Sequence, residues 1–273
     1  MQNLFGNDKA FRHNASLSRF IRNALNSQSI MEYSIRACID RIIGEPPPQY
    51  VAPIDVPMRA RELDPSLLAA PPIEKKWTAD RPITIRFLEG DSYIQDKVKE
   101  MALDWTNYAN MEFRFANDNQ DADIQIAFRQ GAGSWAYIGT DAKTVPHGEP
   151  TMNFGWLDAN TPDREYSRVV KHEFGHALGL IHEHQNPAGG VKWNKDAIYE
   201  ALSRRPYNWD RKTIDYNIFE RYSKTITQYT QLDPVSIMTY WISPEWTVDH
   251  MSFGENLFGL SDTDKAFIRK QYP

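Results

Sequence analysis

The chain has 273 residues, 41% of them hydrophobic and 25% charged, an ordinary composition for a globular protein with room for one large domain and an appendage. A formal net charge of −5 without any run of Lys or Arg argues against nucleic acid or an anionic membrane as partner. No apolar stretch is long enough to span a bilayer, and the sole cysteine, Cys38, excludes an internal disulfide.

Taken in chain order, the first residues, Met1-Gln2-Asn3-Leu4-Phe5-Gly6, lack the basic stretch and apolar core of a secretory signal. That points to a chain that stays inside a cell, leaves it without a cleaved signal, or has lost one. Residues 1–43 read as a helical extension, because Met31, Ile35, Cys38, Ile39 and Ile42 form an amphipathic stripe. Residues 44–74 read as an extended linker: eight prolines between 44 and 72 fix φ and remove backbone donors.

The main domain is expected over 75–273. Ile83, Ile85 and Phe87 alternate with polar residues, as a half-buried strand does. Asp91 or Ser92 caps a helix with the core stripe Ile94, Val98, Met101, Ala102 and Trp105. Strands follow around Met111–Phe115 and Ile124–Phe128, with a further short one at Thr151–Trp156. Thr161 and Pro162 are expected as N-cap and first residue of the next helix, and Asp163 and Glu165 suit its positive end. Beyond it, Asn194–Leu202 and Lys212–Tyr222 look helical, and Ser261 caps a terminal helix with acids in its first turn.

Residues 172–183 carry the chemistry. His172-Glu173-Phe174-Gly175-His176 continues through Gly179 to His182 and Glu183, fitting H-E-x-x-H-x-x-G-x-x-H. Histidines four apart share one helix face and can hold one ion. Glu173 is rotated by about 100° from His172, near the ion but free to handle water. Gly179 permits a left-handed helix end, which turns the chain back to present His182 as third ligand. Three neutral imidazoles leave a fourth zinc position open, the mark of a catalytic rather than structural Zn2+ site.

This run resembles the metzincin metalloproteases, and Glu183 after the third histidine resembles the astacin family among them. Ser236-Ile237-Met238-Thr239-Tyr240 is similar to the Met-turn, whose methionine floors the zinc. The resemblance implies an α+β metzincin (zincin-like) fold, with a twisted mixed sheet, an active-site helix and a C-terminal helical subdomain. It implies a zinc endopeptidase acting on proteins or peptides, with His172, His176 and His182 as ligands, Glu173 as general base and Tyr240 as assistant. Zinc would bring the pKa of its water from about 15.7 toward about 7. Two departures set the chain apart from the animal enzymes: the family's two disulfides cannot form, and Thr239 stands where the family's Met-turn has His. A disulfide-free microbial type is the expectation.

Other residues carry two readings each. Thr151, Met152, Asn153 and Phe154 are either the open edge strand that holds an extended substrate or an ordinary core strand. Glu183 is either the family's buried link to a mature amino terminus or a solvated glutamate. His184 is expected to point away from the metal. Cys38 is either a small packed hydrophobe or a pro-segment thiolate that blocks the open zinc position of a latent zymogen. The specificity pocket should draw on residues around Trp241–Trp246. The rival to an enzyme is a non-catalytic, metal-stabilised module that binds peptide or protein in the cleft, and an intact Glu173 disfavours it.

Overall fold

The computed structural model describes residues 75–116, 121–186, 189–204, 208–220, 231–254 and 257–273. The expected helical extension, Cys38 and the proline-rich linker lie outside the described residues. Among those described, no helix is long and apolar enough to cross a membrane.

A five-stranded mixed sheet forms the first layer. Its strands are β1 (Ile83–Phe87), β2 (Phe113–Phe115), β3 (Ile124–Ala127), β4 (Trp135–Ala136) and β5 (Met152–Asn153), in spatial order β2-β1-β3-β5-β4. β1 pairs in parallel with β2 and β3, β3 with β5 likewise, and β4 alone runs antiparallel, against β5. All four residues of β3 are buried, so both of its faces are covered and the alternation of a half-exposed strand is lost. Asp123 locks β3 to β1. Its carboxylate accepts two hydrogen bonds from Arg81, both 2.7 Å, and two from the backbone and hydroxyl of Thr84.

Helix α1 (Ser92–Ala102) begins where expected, Asp91 accepting from the Ile94 N–H. It packs on helix α2 (Asp163–Ala177), the active-site helix. Twelve of the 15 residues of α2 are buried, so it runs through the domain rather than along its surface. Side chains from distant segments close on its backbone carbonyls. Trp105 Nε1 donates to Lys171 O at 2.9 Å, Trp77 Nε1 to Ala177 O at 2.7 Å, and Tyr272 Oη to Leu178 O at 2.9 Å.

Further α-helices among the described residues are α3 (Lys195–Leu202), α4 (Arg211–Ile214) and α5 (Asp262–Gln271). A small second core of Ile198, Leu202, Ile214 and Ile218 joins α3 to α4 and the π-helical turn Asp215–Phe219 that continues it. Helix α5 starts with a capping box: the Ser261 hydroxyl accepts from Asp264 N, and the Asp264 carboxylate accepts from Ser261 N.

Four expectations are corrected. Thr161 is not the N-cap of α2. Pro162 holds that position, and the Thr161 hydroxyl is engaged with Asp158 in the preceding turn. Lys212–Tyr222 is not one α-helix, because the chain passes from α4 into a π turn after Ile214. The strand expected over Thr151–Trp156 contracts to Met152–Asn153. Nor is it a sheet edge, because β4 covers it: β5 is bonded on both sides and Thr151, Met152, Asn153 and Phe154 are all buried. β4 went unread because two residues after a Gly-rich turn carry no periodicity.

Candidate active site

The three histidines converge. Each pair of Nε2 atoms among His172, His176 and His182 is 3.2 Å apart, and all three residues are buried. His172 and His176 come from adjacent turns of α2. His182 arrives through the turn that ends the helix, where Gly179 has φ +92°. There Gly179 N donates to His176 O and Leu180 N to Gly175 O, the paired bonds of a Schellman motif. The same turn aims Leu180 O at the His176 ring, whose Nδ1 donates to it at 2.9 Å. His172 Nδ1 donates to Ile237 O at 2.7 Å.

Those two contacts settle the tautomers. A carbonyl only accepts, so the protons of His172 and His176 sit on Nδ1, and Nε2 presents a lone pair. Burial, with the neighbouring His176 and His182, holds His172 well below the usual histidine range, so the ring is neutral. Lone pairs converging on one point repel unless a cation lies between them. The residues fit zinc: tetrahedral ligands at about 2.0–2.1 Å from the ion are about 3.3 Å from one another, close to the spacing here.

Around this triangle the structure places the other expected residues. Glu173 is 1% exposed, one step along α2 from His172. Met238 packs beneath the helix against Gly175, where a Cβ would lie 2.3 Å from its Sδ, so any larger residue there would have to displace the methionine. The Tyr240 ring is 4.2 Å from His182 and 6.3 Å from His172, within the site. His184 points away, its Nε2 against Asn217 O at 2.9 Å, while its ring backs Tyr240 at 4.7 Å.

Glu183 is not a solvated glutamate. Its Oε1 accepts from Asp233 N at 2.8 Å and Asn186 Nδ2 at 3.1 Å, its N–H donates to Met238 O, and burial pushes its carboxyl up. It thus joins the third-ligand turn to the Met-turn. Sequence reasoning missed the residues behind that turn, Asp233 and Asp264. Asp264 was visible only as a helix cap, and nothing in one sequence shows that a cap 28 residues on reaches Ser236.

A long helix carrying two histidines, a third beyond a glycine turn, and a methionine floor beneath them define a zincin of the metzincin type. Comparison with known proteins agrees: residues 70–272 match the Astacin peptidase family. The chain belongs to the astacin family. One structure of myroilysin is 46% identical, with a TM-score of 0.71, covering 73% of this chain and 96% of that one. A crystal structure of myroilysin is 40% identical, with a TM-score of 0.60, covering 87% and 91%. Zinc metalloproteinase dpy-31 of Caenorhabditis elegans is 27% identical over 195 residues, 66% of this chain and 31% of that protein. Zinc metalloproteinase nas-36 of Haemonchus contortus is 32% identical over 117 residues, 42% of this chain and 17% of that protein. The chain thus spans less than a third of the length of these curated relatives.

Proposed function

We propose that the chain is a zinc-dependent endopeptidase. The observation that carries this reading is the buried triangle of imidazole nitrogens, with the buried Glu173 next to His172 on the same helix. When bound, zinc supplies Lewis acidity and makes water acidic enough to be used near neutral pH. Glu173 takes a proton from the attacking water as its oxygen bonds to the scissile carbonyl carbon, and the Tyr240 hydroxyl donates to the oxyanion that develops. As the C–N bond breaks, Glu173 passes the proton to the leaving nitrogen, and the products are a carboxylate and an amine.

Substrate is held along β4. That strand is the outermost of the sheet on its side and packs beside α2, a position from which an extended peptide can add by main-chain hydrogen bonds. The buried Thr151–Phe154 segment supports β4 from behind; Asn153 Nδ2 donates to Gly133 O at 2.6 Å and fixes the turn before it. Cys38 is proposed as the thiolate that caps the open zinc position before activation.

Cleavage of a mixed peptide library by the full chain tests these roles. In the Cys38→Ala chain, Glu173→Gln is expected to lower activity by about 10²- to 10⁴-fold while zinc stays bound. Cys38→Ala is expected to raise the activity of the uncleaved chain. Activity undiminished by Glu173→Gln in the Cys38→Ala chain would remove Glu173 as the base, and unchanged latency in Cys38→Ala would remove the thiol.

A further inference from the structure

Behind His172 the structure holds a chain of hydrogen bonds that ends in a buried carboxylate on the last helix. His172 Nδ1 donates to Ile237 O at 2.7 Å. That carbonyl shares its peptide plane with Met238 N, which donates to Ser236 Oγ at 3.0 Å. The Ser236 hydroxyl in turn donates to Asp264 Oδ1 at 2.7 Å. Ser236 is 2% and Asp264 4% exposed, so water does not compete for these bonds.

Helix capping alone does not account for Asp264. The cap uses Oδ2, which accepts from Ser261 N at 2.8 Å and also from Ile237 N at 2.9 Å. Oδ1 serves Ser236. Burial pushes the Asp264 carboxyl up, and the three donors work against that by favouring the ionised form. A carboxylate at one end of such a series polarises each bond after it, and in a dry interior that effect is not screened. Charge is thereby drawn through the hydroxyl and the peptide toward the imidazole, making its Nε2 a better donor to a metal. His176 is backed differently: its carbonyl, Leu180 O, belongs to the turn that ends α2.

We infer that Ser236 and Asp264 are positioning residues of the metal site, giving His172 a carboxylate partner relayed through a hydroxyl and one peptide plane. Directly bonded carboxylate–histidine–metal arrangements are common, and losing the outer partner costs about 10–100-fold in metal affinity or activity. Here the carboxylate comes from a helix that contributes no ligand, so the C-terminal helix is coupled to the zinc site through the Met-turn. The inference rests on the zinc reading.

The test is zinc affinity of the full chain, measured by competition with a chromophoric chelator, beside the visible spectrum of the cobalt-substituted protein. Ser236→Ala cuts the relay but leaves Asp264 both backbone donors. It is expected to weaken zinc about tenfold or more and to shift the cobalt bands, with metal-free melting near wild type. Ser236→Thr keeps the hydroxyl and is expected to restore both readouts. Wild-type zinc affinity and cobalt spectrum in a folded Ser236→Ala protein would overturn the relay. Asp264→Asn, nearly isosteric, carries the same prediction if Ser236→Ala does not fold. The unsubstituted protein adds a check: the Met238 amide, held by Ser236 Oγ, should exchange with solvent as slowly as β3 amides, and fast exchange would overturn the relay. Failure of the wild-type chain to bind zinc at all would instead sink the zinc reading.

Discussion

At the residue scale, the site depends on which atoms hold protons. Two rings have Nδ1 tied to carbonyls, so their Nε2 lone pairs face each other across 3.2 Å in a buried space. That arrangement is stable only around a cation, and the three-nitrogen donor set suits zinc over calcium or magnesium, which take oxygen. The Tyr240 ring packs against both the His184 ring and the ligand His182, which restrains its plane. In the mechanism we propose, its hydroxyl acts in the transition state more than in binding. Tyr240→Phe is therefore expected to lower kcat by about 10²-fold with KM little changed, in steady-state kinetics on one cleaved peptide. A rise in KM at constant kcat would instead make Tyr240 a binding residue.

At the element scale, most of what the sequence pattern revealed is local. The Asp91 and Ser261 caps and the left-handed Gly179 each depend on neighbours a few residues away, and all three stand where expected. What escaped the pattern is long-range. Four buried residues of β3 reflect cover on both faces of the sheet that its own sequence does not name. The edge role of β4 follows from pairing with β5, not from Trp135 or Ala136. The Asp123 lock between β1 and β3 also went unread, and it has a measurable signature. Burial pushes the Asp123 carboxyl up, but hydrogen bonds from Arg81 and Thr84 outweigh it and bring it down to about 2. A carboxyl lowered in the folded state stabilises above its unfolded pKa of 3.8, and that stabilisation fades as pH falls toward about 2. Since Arg81 is half exposed, the contribution is about 1 kcal/mol after screening. Asp123→Ala should lose about that much in urea unfolding at pH 7, with the gap to wild type narrowing below about pH 4. A gap that stays constant down to about pH 2 would contradict the ionic contribution.

At the scale of the whole molecule, the zinc site draws on three separated parts of the chain. Helix α2 and its turn supply the ligands, the Met-turn supplies the floor and Tyr240, and α5 reaches the Met-turn through Asp264. The ligands were legible because a helix and one turn place them within 11 residues of each other, from His172 to His182. Glu183, Asp233 and Asp264 were not, because their meaning lies in contacts between distant parts of the chain, such as Asp233 N to Glu183 Oε1, 50 residues apart. The central claim is that one zinc ion, held by three histidines, makes this chain a peptidase. Titrating zinc into the metal-free Cys38→Ala chain, with peptide cleavage followed at each step, tests it most directly, since no thiol then competes for the site. Activity should rise linearly and stop at one equivalent of zinc per chain, with no such rise in the Glu173→Gln version. A folded protein that takes up its zinc and cleaves nothing, or one that cleaves without metal, would contradict it.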